Sequence, residues 1–295
     1  MRRVWFRGAV LAFGAGAVIA GLTVYFSSAD VPPCLVSGAP KWQAPRSGTH
    51  RYMVVFPDRG ACFFAIDEQN KLAGAVRLDD ARGVSMAAPL LDDIALRTKD
   101  GVYRFDPRSG RMRSGGLAPF SSDIVNVVDP RRRLMYVTRP GLLGFRVIHM
   151  RTATSLYDVS FNGFTWNPRF GPNPPSHGLV LSPNGSELWV LDAPNSTVHL
   201  FDLSPLPEAP PRQVKNIRLS KPLSGDESPC STACARIGSL QQSADGRYVY
   251  VGDAGDVIDT EKREIVTNLD ALHNSRVALE VGFSDGKPSY PLPPG

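Results

Sequence analysis

The sequence has 295 residues, of which 42% are hydrophobic and 21% are charged, a composition typical of a globular protein and not of a low-complexity disordered chain. The formal net charge is +5, but residues 1–7 contain three of the arginines, and without residues 1–29 the net charge falls to +2. This charge does not provide the clustered basic surface that nucleic-acid binding requires, so no nucleic-acid partner is expected. The one tight basic cluster, Arg131-Arg132-Arg133, falls in a predicted turn, where we expect solvated side chains.

The N-terminal segment has the pattern of an export signal or a membrane anchor. Basic residues 1–7 precede residues 8–26, an uncharged apolar run. The run exceeds the roughly 7 to 15 residues of a secretory core and approaches the span of about 20 that crosses a membrane. The small residues Ser27-Ser28-Ala29 favour cleavage instead. Residues 1–29 are therefore predicted to be a signal peptide or an anchoring apolar helix. Either places the rest outside the cytoplasm, in the periplasm or at the cell surface.

The cysteine content agrees with an exported chain. The four cysteines are an even number, and disulfides are expected in an oxidising compartment. Three pairings are open, of which we favour Cys230 with Cys234 and Cys34 with Cys62. A metal or redox site at Cys230 and Cys234 is the alternative, but no His or Met ligand stands nearby.

Residues 30–50 are rich in Pro, Gly and Ser and are predicted to be a linker. A unit of short apolar strands separated by turns then recurs over residues 51–292. Its clearest copy, residues 176–204, contains the turn Ser182-Pro183-Asn184-Gly185, which supplies a fixed φ and then a tolerated positive φ. The apolar residue that ends the third strand of each copy recurs at spacings of 39, 43, 53 and 57, at Ile66, Phe105, Ile148, Phe201 and Ile258.

Repeats near 40 residues with short strands are typical of propeller blades. The sequence therefore predicts an all-β fold, a β-propeller of four-stranded antiparallel blades. By length we expect about six blades, with five and seven as alternatives. The sixth would be assembled from residues 277–283 and 287–290, with an N-terminal strand closing the ring.

Two stretches resemble a known repeat family. SPNGSELWVLDAPNSTVHLFDL (residues 182–203) and SADGRYVYVGDAGDVIDTEKREIVTNL (residues 243–269) are similar to the YVTN-type β-propeller repeat of bacterial exported proteins, within the quinoprotein- and lactonase-like propeller superfamily. The resemblance is good over residues 124–282 and weaker over residues 52–119, where the S-P-D-G turn is missing. It implies the propeller fold but no particular activity, because the family has none in common.

A Pro- and Gly-rich insertion before residue 177 is the candidate binding surface, since aromatic and Arg side chains dominate binding hot spots. Alternatively, the insertion folds back onto its own blade, and the histidine is a capping or packing residue. If the insertion is the binding surface, its removal should leave the fold stable. The candidate residues are Phe161, Phe164, Trp166, Arg169, Phe170 and His177.

A second group, Asp253, Asp256 and Asp259, suggests calcium, because hard cations take several oxygen ligands. The spacing matches no known calcium loop, and aspartates at strand ends commonly accept hydrogen bonds from the backbone. Neither a metal nor a cofactor is predicted.

Two functions follow from these observations. The first is an exported, non-catalytic propeller that acts as a monomeric binding or scaffold module for a protein, peptide or cell-surface ligand, with membrane contact only through the N-terminal segment. The alternative is an enzyme of the lactonase or quinoprotein-dehydrogenase type, with a metal or quinone in the central channel and His177 among its ligands.

Overall fold

The computed structural model describes residues 38–57, 62–78, 84, 86–90, 92–98, 101–114, 126–167, 174–221, 223, 239–252, 254–273 and 275–290. The predicted signal peptide or anchor lies outside these residues, as do Cys34, Cys230, Cys234, Arg169, Phe170 and Asp253. Within the described ranges every regular element is a β-strand, and no helix is long and apolar enough to cross a membrane.

The described strands form five antiparallel sheets. The first sheet contains β1 (Thr49–Pro57), β2 (Cys62–Asp67), β3 (Leu72–Arg77), β20 (Ser275–Ser284) and β21 (Lys287–Ser289) in the order β21-β20-β1-β2-β3. The second contains β4 (Met86–Leu90), β5 (Asp93–Thr98), β6 (Gly101–Asp106) and β7 (Arg111–Ser114). The third contains β8 (Asn126–Asp129), β9 (Leu134–Val137), β10 (Gly144–His149) and β11 (Thr154–Ser160).

The two remaining sheets come from the C-terminal half of the chain. The fourth contains β12 (Ser176–Leu181), β13 (Glu187–Asp192), β14 (Thr197–Asp202) and β15 (Arg212–Arg218). The fifth contains β16 (Leu240–Gln242), β17 (Tyr248–Val251), β18 (Asp256–Asp259) and β19 (Glu264–Asn268). In the second to fifth sheets the strands pair in sequence order, each with the next along the chain.

The turn between the first and second strands of a sheet follows from its sequence. In the fourth sheet the Ser182 hydroxyl accepts a hydrogen bond from the Glu187 N–H at 2.9 Å, and Gly185 adopts φ of 71°. In the fifth sheet the Ser243 hydroxyl accepts from the Tyr248 N–H, also at 2.9 Å, and Gly246 adopts φ of 76°. Both turns need a glycine because a side chain disfavours the left-handed conformation.

Aspartates that end third strands hold the following turn. Asp67, Asp106, Asp202 and Asp259 each accept a hydrogen bond from the backbone N–H two residues further on. An Asp side chain stabilises a turn in this way by replacing a backbone acceptor. The sequence therefore ends the strand and starts the turn with the same residue.

The sheets pack face to face around a centre. In the first sheet, β20 corresponds to the first strand of the other sheets and β2 to the third. First strands of neighbouring sheets contact one another, since β8 lies beside β12, β12 beside β16 and β20 beside β4. Third strands such as β14 and β18 are buried, whereas fourth strands such as β15 and β19 are largely exposed. This radial arrangement of small antiparallel sheets is that of a β-propeller, and the all-β propeller prediction is confirmed.

Apolar side chains pack in four of the interfaces between successive sheets. Trp189 and Val249 belong to the cluster between the fourth and fifth sheets, and the adjoining clusters lie between the third and fourth and between the fifth and first sheets. Between the first and second sheets, the rings of Phe63 and Phe105 lie 4.8 Å apart. No single blade could bury its own apolar faces, so the repeats stabilise one another.

The expected sixth unit is not a separate blade. Residues 277–283 and 287–289 belong to β20 and β21, and β20 pairs with β1 from Thr49↔Ser284 to Pro57↔Ser275. The C-terminal strands thus complete the sheet that β1–β3 begin, which leaves five sheets in the described part of the chain. Pairing of the two ends of the domain satisfies backbone groups that would otherwise lie on an open edge.

The C-terminal part of the predicted linker contacts the propeller. The backbone N–H of Trp42 donates to Ala75 O at 3.0 Å, which extends the edge of β3. The Trp42 indole is buried and donates to Pro107 O at 2.7 Å, in the turn between β6 and β7. This residue therefore joins the first and second sheets.

Candidate functional site

A cleft of about 160 Å³ lies at the junction of the first and fifth sheets. The start of β1, the turn after β2, the turn between β16 and β17, and strands β17 and β20 form its walls. The polar residues that matter most are Arg51, Glu68, Asp245, Tyr248, Tyr250 and Glu280. The cleft is built from both ends of the domain and exists only because the ring closes there.

Arg51 is the central cation of the cleft. Its guanidinium donates to Asp245 Oδ2 at 2.9 Å and to Glu68 Oε1 at 3.4 Å, and it lies 3.8 Å from Glu280 Oε1. Burial opposes its charge, but the hydrogen bond and charge of Asp245 outweigh this effect, so the pKa of Arg51 is raised. Arg51 is thus a fixed cation.

Asp245 is held as a carboxylate. Burial favours its neutral form, but Oδ1 accepts hydrogen bonds from the Ser243 hydroxyl and the Arg247 N–H, and Arg51 binds Oδ2. Together these partners lower the pKa of Asp245. The turn that Asp245 stabilises therefore also presents a permanent negative charge to the cleft.

Glu280 behaves differently because it is buried. Its side chain is 7% exposed, and Oε2 accepts a hydrogen bond from the Ala244 N–H at 2.6 Å. Oε1 has no hydrogen-bond donor within the described residues. Burial raises the pKa of Glu280 despite the Ala244 hydrogen bond and the charge of Arg51. The cleft thus contains one carboxylate oxygen whose hydrogen-bonding capacity is unused.

Tyrosines form the less polar part of the cleft. The Tyr250 hydroxyl donates to Asn70 Oδ1 at 2.9 Å, and burial raises its pKa, so the phenol stays neutral. The Arg247 guanidinium lies 5.1 Å from the centre of the Tyr248 ring, within the range of a cation–π contact. Neutral rings beside carboxylates suit a ligand that combines an apolar stem with a polar end.

The described part of the predicted aromatic insertion contacts the fourth sheet. Phe161 is buried, with its ring 4.0 Å from the His199 ring, and the ring of Phe164 lies 4.6 Å from the same imidazole. Trp166 is half-buried against the core between the third and fourth sheets. Asn195 Nδ2 donates to the backbone oxygen of Thr165 at 3.2 Å. The contacts of Phe161 and Phe164 thus agree with the fold-back alternative, while Arg169 and Phe170 lie outside the described residues.

His177 lies in β12, opposite Leu191 of β13, at an irregularity in the register. The buried imidazole of His199 pairs with Asp192, at 3.1 Å from Oδ2, and with Asn216 Oδ1 at 2.8 Å. Since Asp192 also accepts from Asn195, this network ties β13, β14, β15 and a turn together.

Two of the three candidate calcium ligands, Asp256 and Asp259, serve as acceptors at the ends of β18. Asp256 accepts hydrogen bonds from Ser220 and from Asn268 Nδ2, the latter at 2.7 Å. Asp259 Oδ1 accepts from the backbone N–H groups of residues 261 and 262. Throughout the described ranges, no group of three or more His, Cys, Asp or Glu residues could hold a metal ion.

Sequence reasoning missed the cleft residues and the role of the basic cluster. Arg131 donates to Asn184 O at 2.7 Å, and Arg132 donates to Gly185 O at 2.7 Å and to Asp129 Oδ2 at 2.8 Å. These side chains therefore connect the third and fourth sheets instead of simply facing solvent. The carboxylate at residue 129, three residues before Arg132, was the one local signal.

The chain is thus a β-propeller with a polar cleft at the junction of its first and fifth sheets. Its sequence matches no protein-family profile and no curated protein. Among solved structures it is similar to a putative 6-phosphogluconolactonase from Bacteroides fragilis, with 10% identity over 78% of this chain and 70% of that chain and a TM-score of 0.38.

Two further structures are similar at 14% identity and a TM-score of 0.32. One is dihydro-heme d1 dehydrogenase NirN in complex with DHE, of which the match covers 74% of this chain and 45% of that chain. The other is a protein of unknown function from Bacteroides caccae, with 75% of this chain and 73% of that chain covered. This chain thus spans less than half the length of NirN.

Proposed function

We propose that this protein is an exported, non-catalytic β-propeller that binds a protein or peptide through the cleft between its first and fifth sheets. The single observation that supports this function is Glu280 Oε1, a buried acceptor without a hydrogen-bond donor, on a residue that lines the cleft. An unpaired buried polar atom is costly, and a ligand that supplies a donor relieves that cost. The apolar N-terminal run and the resemblance to the YVTN-type repeat support export.

The size of the cleft favours a large partner over a small molecule. Pockets for whole small-molecule ligands are usually about 300–1,000 Å³, whereas this cleft measures about 160 Å³. That volume suits one side chain of a larger ligand, whose remaining contacts would lie on the turns around the cleft. Gln69 and Arg247 are exposed at its rim and would meet such a ligand first.

The test is selection of peptides from a random phage-displayed library on the full-length protein, followed by calorimetry with the synthetic peptides. We expect selected peptides to bind the natural protein and to lose most of their affinity for Gln69→Trp, whose indole would obstruct the cleft. The matched control is Glu261→Trp, because Glu261 occupies an exposed turn outside the cleft. If the selected peptides bind the natural protein and Gln69→Trp equally well, the cleft is not the binding site.

The same Glu280 is the observation that favours the enzyme alternative. A carboxyl group with a raised pKa is suited to general acid–base catalysis. The protein purified from its own host should therefore be assayed for lactone hydrolysis and examined for an absorbing cofactor. Lactone hydrolysis that Glu280→Gln abolishes would contradict the binding proposal and support a catalytic function. Absence of turnover together with peptide binding would support a binding module.

A further inference from the structure

The cleft is lined by more negatively charged than positively charged side chains. Its walls carry more carboxyl groups than guanidinium groups, namely Asp67, Glu68, Asp245 and Glu280 against Arg51 and Arg247. Arg51 hydrogen-bonds Glu68 and Asp245 but stays 3.8 Å from Glu280 Oε1, and the Arg247 guanidinium lies over the Tyr248 ring. No guanidinium of the described cleft therefore completes the hydrogen bonding of Glu280.

The acceptor that remains is a single oxygen. Glu280 Oε2 is occupied by the Ala244 N–H, and only Oε1 lacks a donor. A guanidinium binds a carboxylate best through two parallel hydrogen bonds, which need both oxygens. A primary ammonium is a compact charge whose donors can each meet one oxygen, so it matches this site better.

The remaining surface of the cleft suits an alkyl stem. Tyr52, Met53 and Tyr248 line it together with the carboxylates. The four-carbon stem of a lysine packs along apolar and aromatic surface while its ammonium reaches a polar group, and the ammonium is attracted to the face of a tyrosine ring. An incoming positive charge would also favour the ionised form of Glu280.

We propose that the cleft accepts the side chain of a lysine from a peptide or protein ligand, with Glu280 Oε1 as the acceptor for its ammonium group. This inference rests on the proposed binding function and adds the chemistry of the ligand. It makes Glu280 the residue that determines specificity, while Arg51 keeps the neighbouring carboxylates in place.

The test uses N-acetyl-lysine N-methylamide, its arginine and norleucine analogues, and n-butylamine, each titrated into the full-length protein and followed by NMR. We expect the lysine derivative to bind at least about tenfold more tightly than the norleucine derivative, because a hydrogen bond to a charged group is lost. The arginine derivative should bind more weakly than the lysine derivative. Binding of n-butylamine as tight as that of the lysine derivative would assign the cleft to free amines and overturn the assignment to a peptide side chain.

Glu280→Gln should weaken binding of the lysine derivative about tenfold or more. The control Glu264→Gln removes the same charge from the exposed strand β19 and should leave the affinity for the lysine derivative unchanged. Intermolecular NOEs between the lysine ε-methylene and the Tyr248 ring in the natural protein provide a second readout that does not depend on a variant folding. Equal binding of the norleucine derivative, or no NOE to Tyr248, would overturn the lysine assignment. A selected peptide that lacks lysine and is blocked by Gln69→Trp would also overturn it, while leaving the proposed binding function standing.

Discussion

Arg51 Nη2 donates to Asp245 Oδ2 at 2.9 Å across the junction of the first and fifth sheets, although 194 residues separate the two in sequence. The contact lies close to the pairing of β1 with β20, but it links β1 to the turn between β16 and β17 of the fifth sheet. Because Asp245 also holds the turn between β16 and β17, one carboxylate serves both local and long-range structure.

Removal of this pair should weaken closure of the ring by a small amount. The side chains of Arg51 and Asp245 are 40% and 38% exposed, so solvent screens their interaction. A double-mutant cycle with Arg51→Ala and Asp245→Asn should give a coupling energy of about 0.5–1 kcal/mol in urea unfolding, decreasing with added salt. Arg151→Ala, at an exposed turn, is the control. A coupling energy of zero at low salt would show that the pair does not stabilise closure.

Phe161→Ala should destabilise the fold strongly. The ring is 4% exposed and packs against His199 and Phe201, so its removal leaves a cavity. We expect a loss of about 3–5 kcal/mol in the free energy of unfolding, measured by chemical denaturation. Val214→Ala, on neighbouring β15 and 43% exposed, should change stability by less than about 0.5 kcal/mol. A loss below about 1 kcal/mol for Phe161→Ala would favour the dispensable recognition loop instead.

Glu280→Gln should change how stability depends on pH. Burial raises the pKa of Glu280, so the folded protein holds this proton more tightly than the unfolded chain does. Its contribution to stability therefore falls as pH rises through the interval between the unfolded and the higher folded pKa. The neighbouring charges are Arg51, Asp245 and Glu68. Urea unfolding should show the stability of Glu280→Gln, relative to the natural protein, increasing as the pH rises above the ordinary pKa of a glutamate. A difference independent of pH would mean that Glu280 titrates normally.

Gly246→Ala tests the turn that supports the cleft. Gly246 has φ of 76°, and a Cβ there would lie 3.1 Å from Pro183 Cδ. Gly141 has φ of 79°, and a Cβ there would have no atom within 4 Å. Both alanine variants should lose about 1–2 kcal/mol in the free energy of unfolding, because a side chain disfavours the left-handed conformation. Gly246→Ala should lose more because of the contact with Pro183. Equal melting temperatures would indicate that the two turns relax equally.

The disulfides remain a prediction that peptide mass spectrometry without reduction can check. We expect linked peptides for Cys34 with Cys62 and for Cys230 with Cys234. Cys62 is buried in β2, and the described residues contain no free cysteine. Reduction should lower stability by about 2–4 kcal/mol for each bond. Free thiols at Cys230 and Cys234 would favour the metal or redox alternative.

Local structure could be predicted well from the sequence. The Ser-Pro-Asn-Gly and Ser-Ala-Asp-Gly turns occur where the sequence places them, and their hydrogen bonds involve only residues within five positions of one another. Four of the five aligned apolar residues are fully buried, and the exception, Ile148, is half-buried. Strand and turn preferences act over a few residues, so they are present in any copy of the repeat.

The candidate site could not be predicted in the same way. Nothing near Arg51 in sequence indicates Asp245 or Glu280 as its partners, and Glu280 lies in a stretch that resembled part of a separate sixth blade. The aromatic residues of the insertion have the composition of a binding loop, yet Phe161 packs against His199. Composition alone cannot tell whether an aromatic ring faces a partner or its own core, because both environments favour it.

The sequence by itself determined that this protein is built from repeated strands, that aspartates and glycines set its turns, and that the repeats assemble into a propeller. Only the tertiary structure decided how many sheets the described chain makes, that its ends meet in one sheet, and that a buried carboxylate oxygen at their junction lacks a donor. The physical reason is the distance in sequence over which each interaction acts. Turns and strands depend on neighbouring residues, whereas the cleft depends on which distant strand pairs with β1.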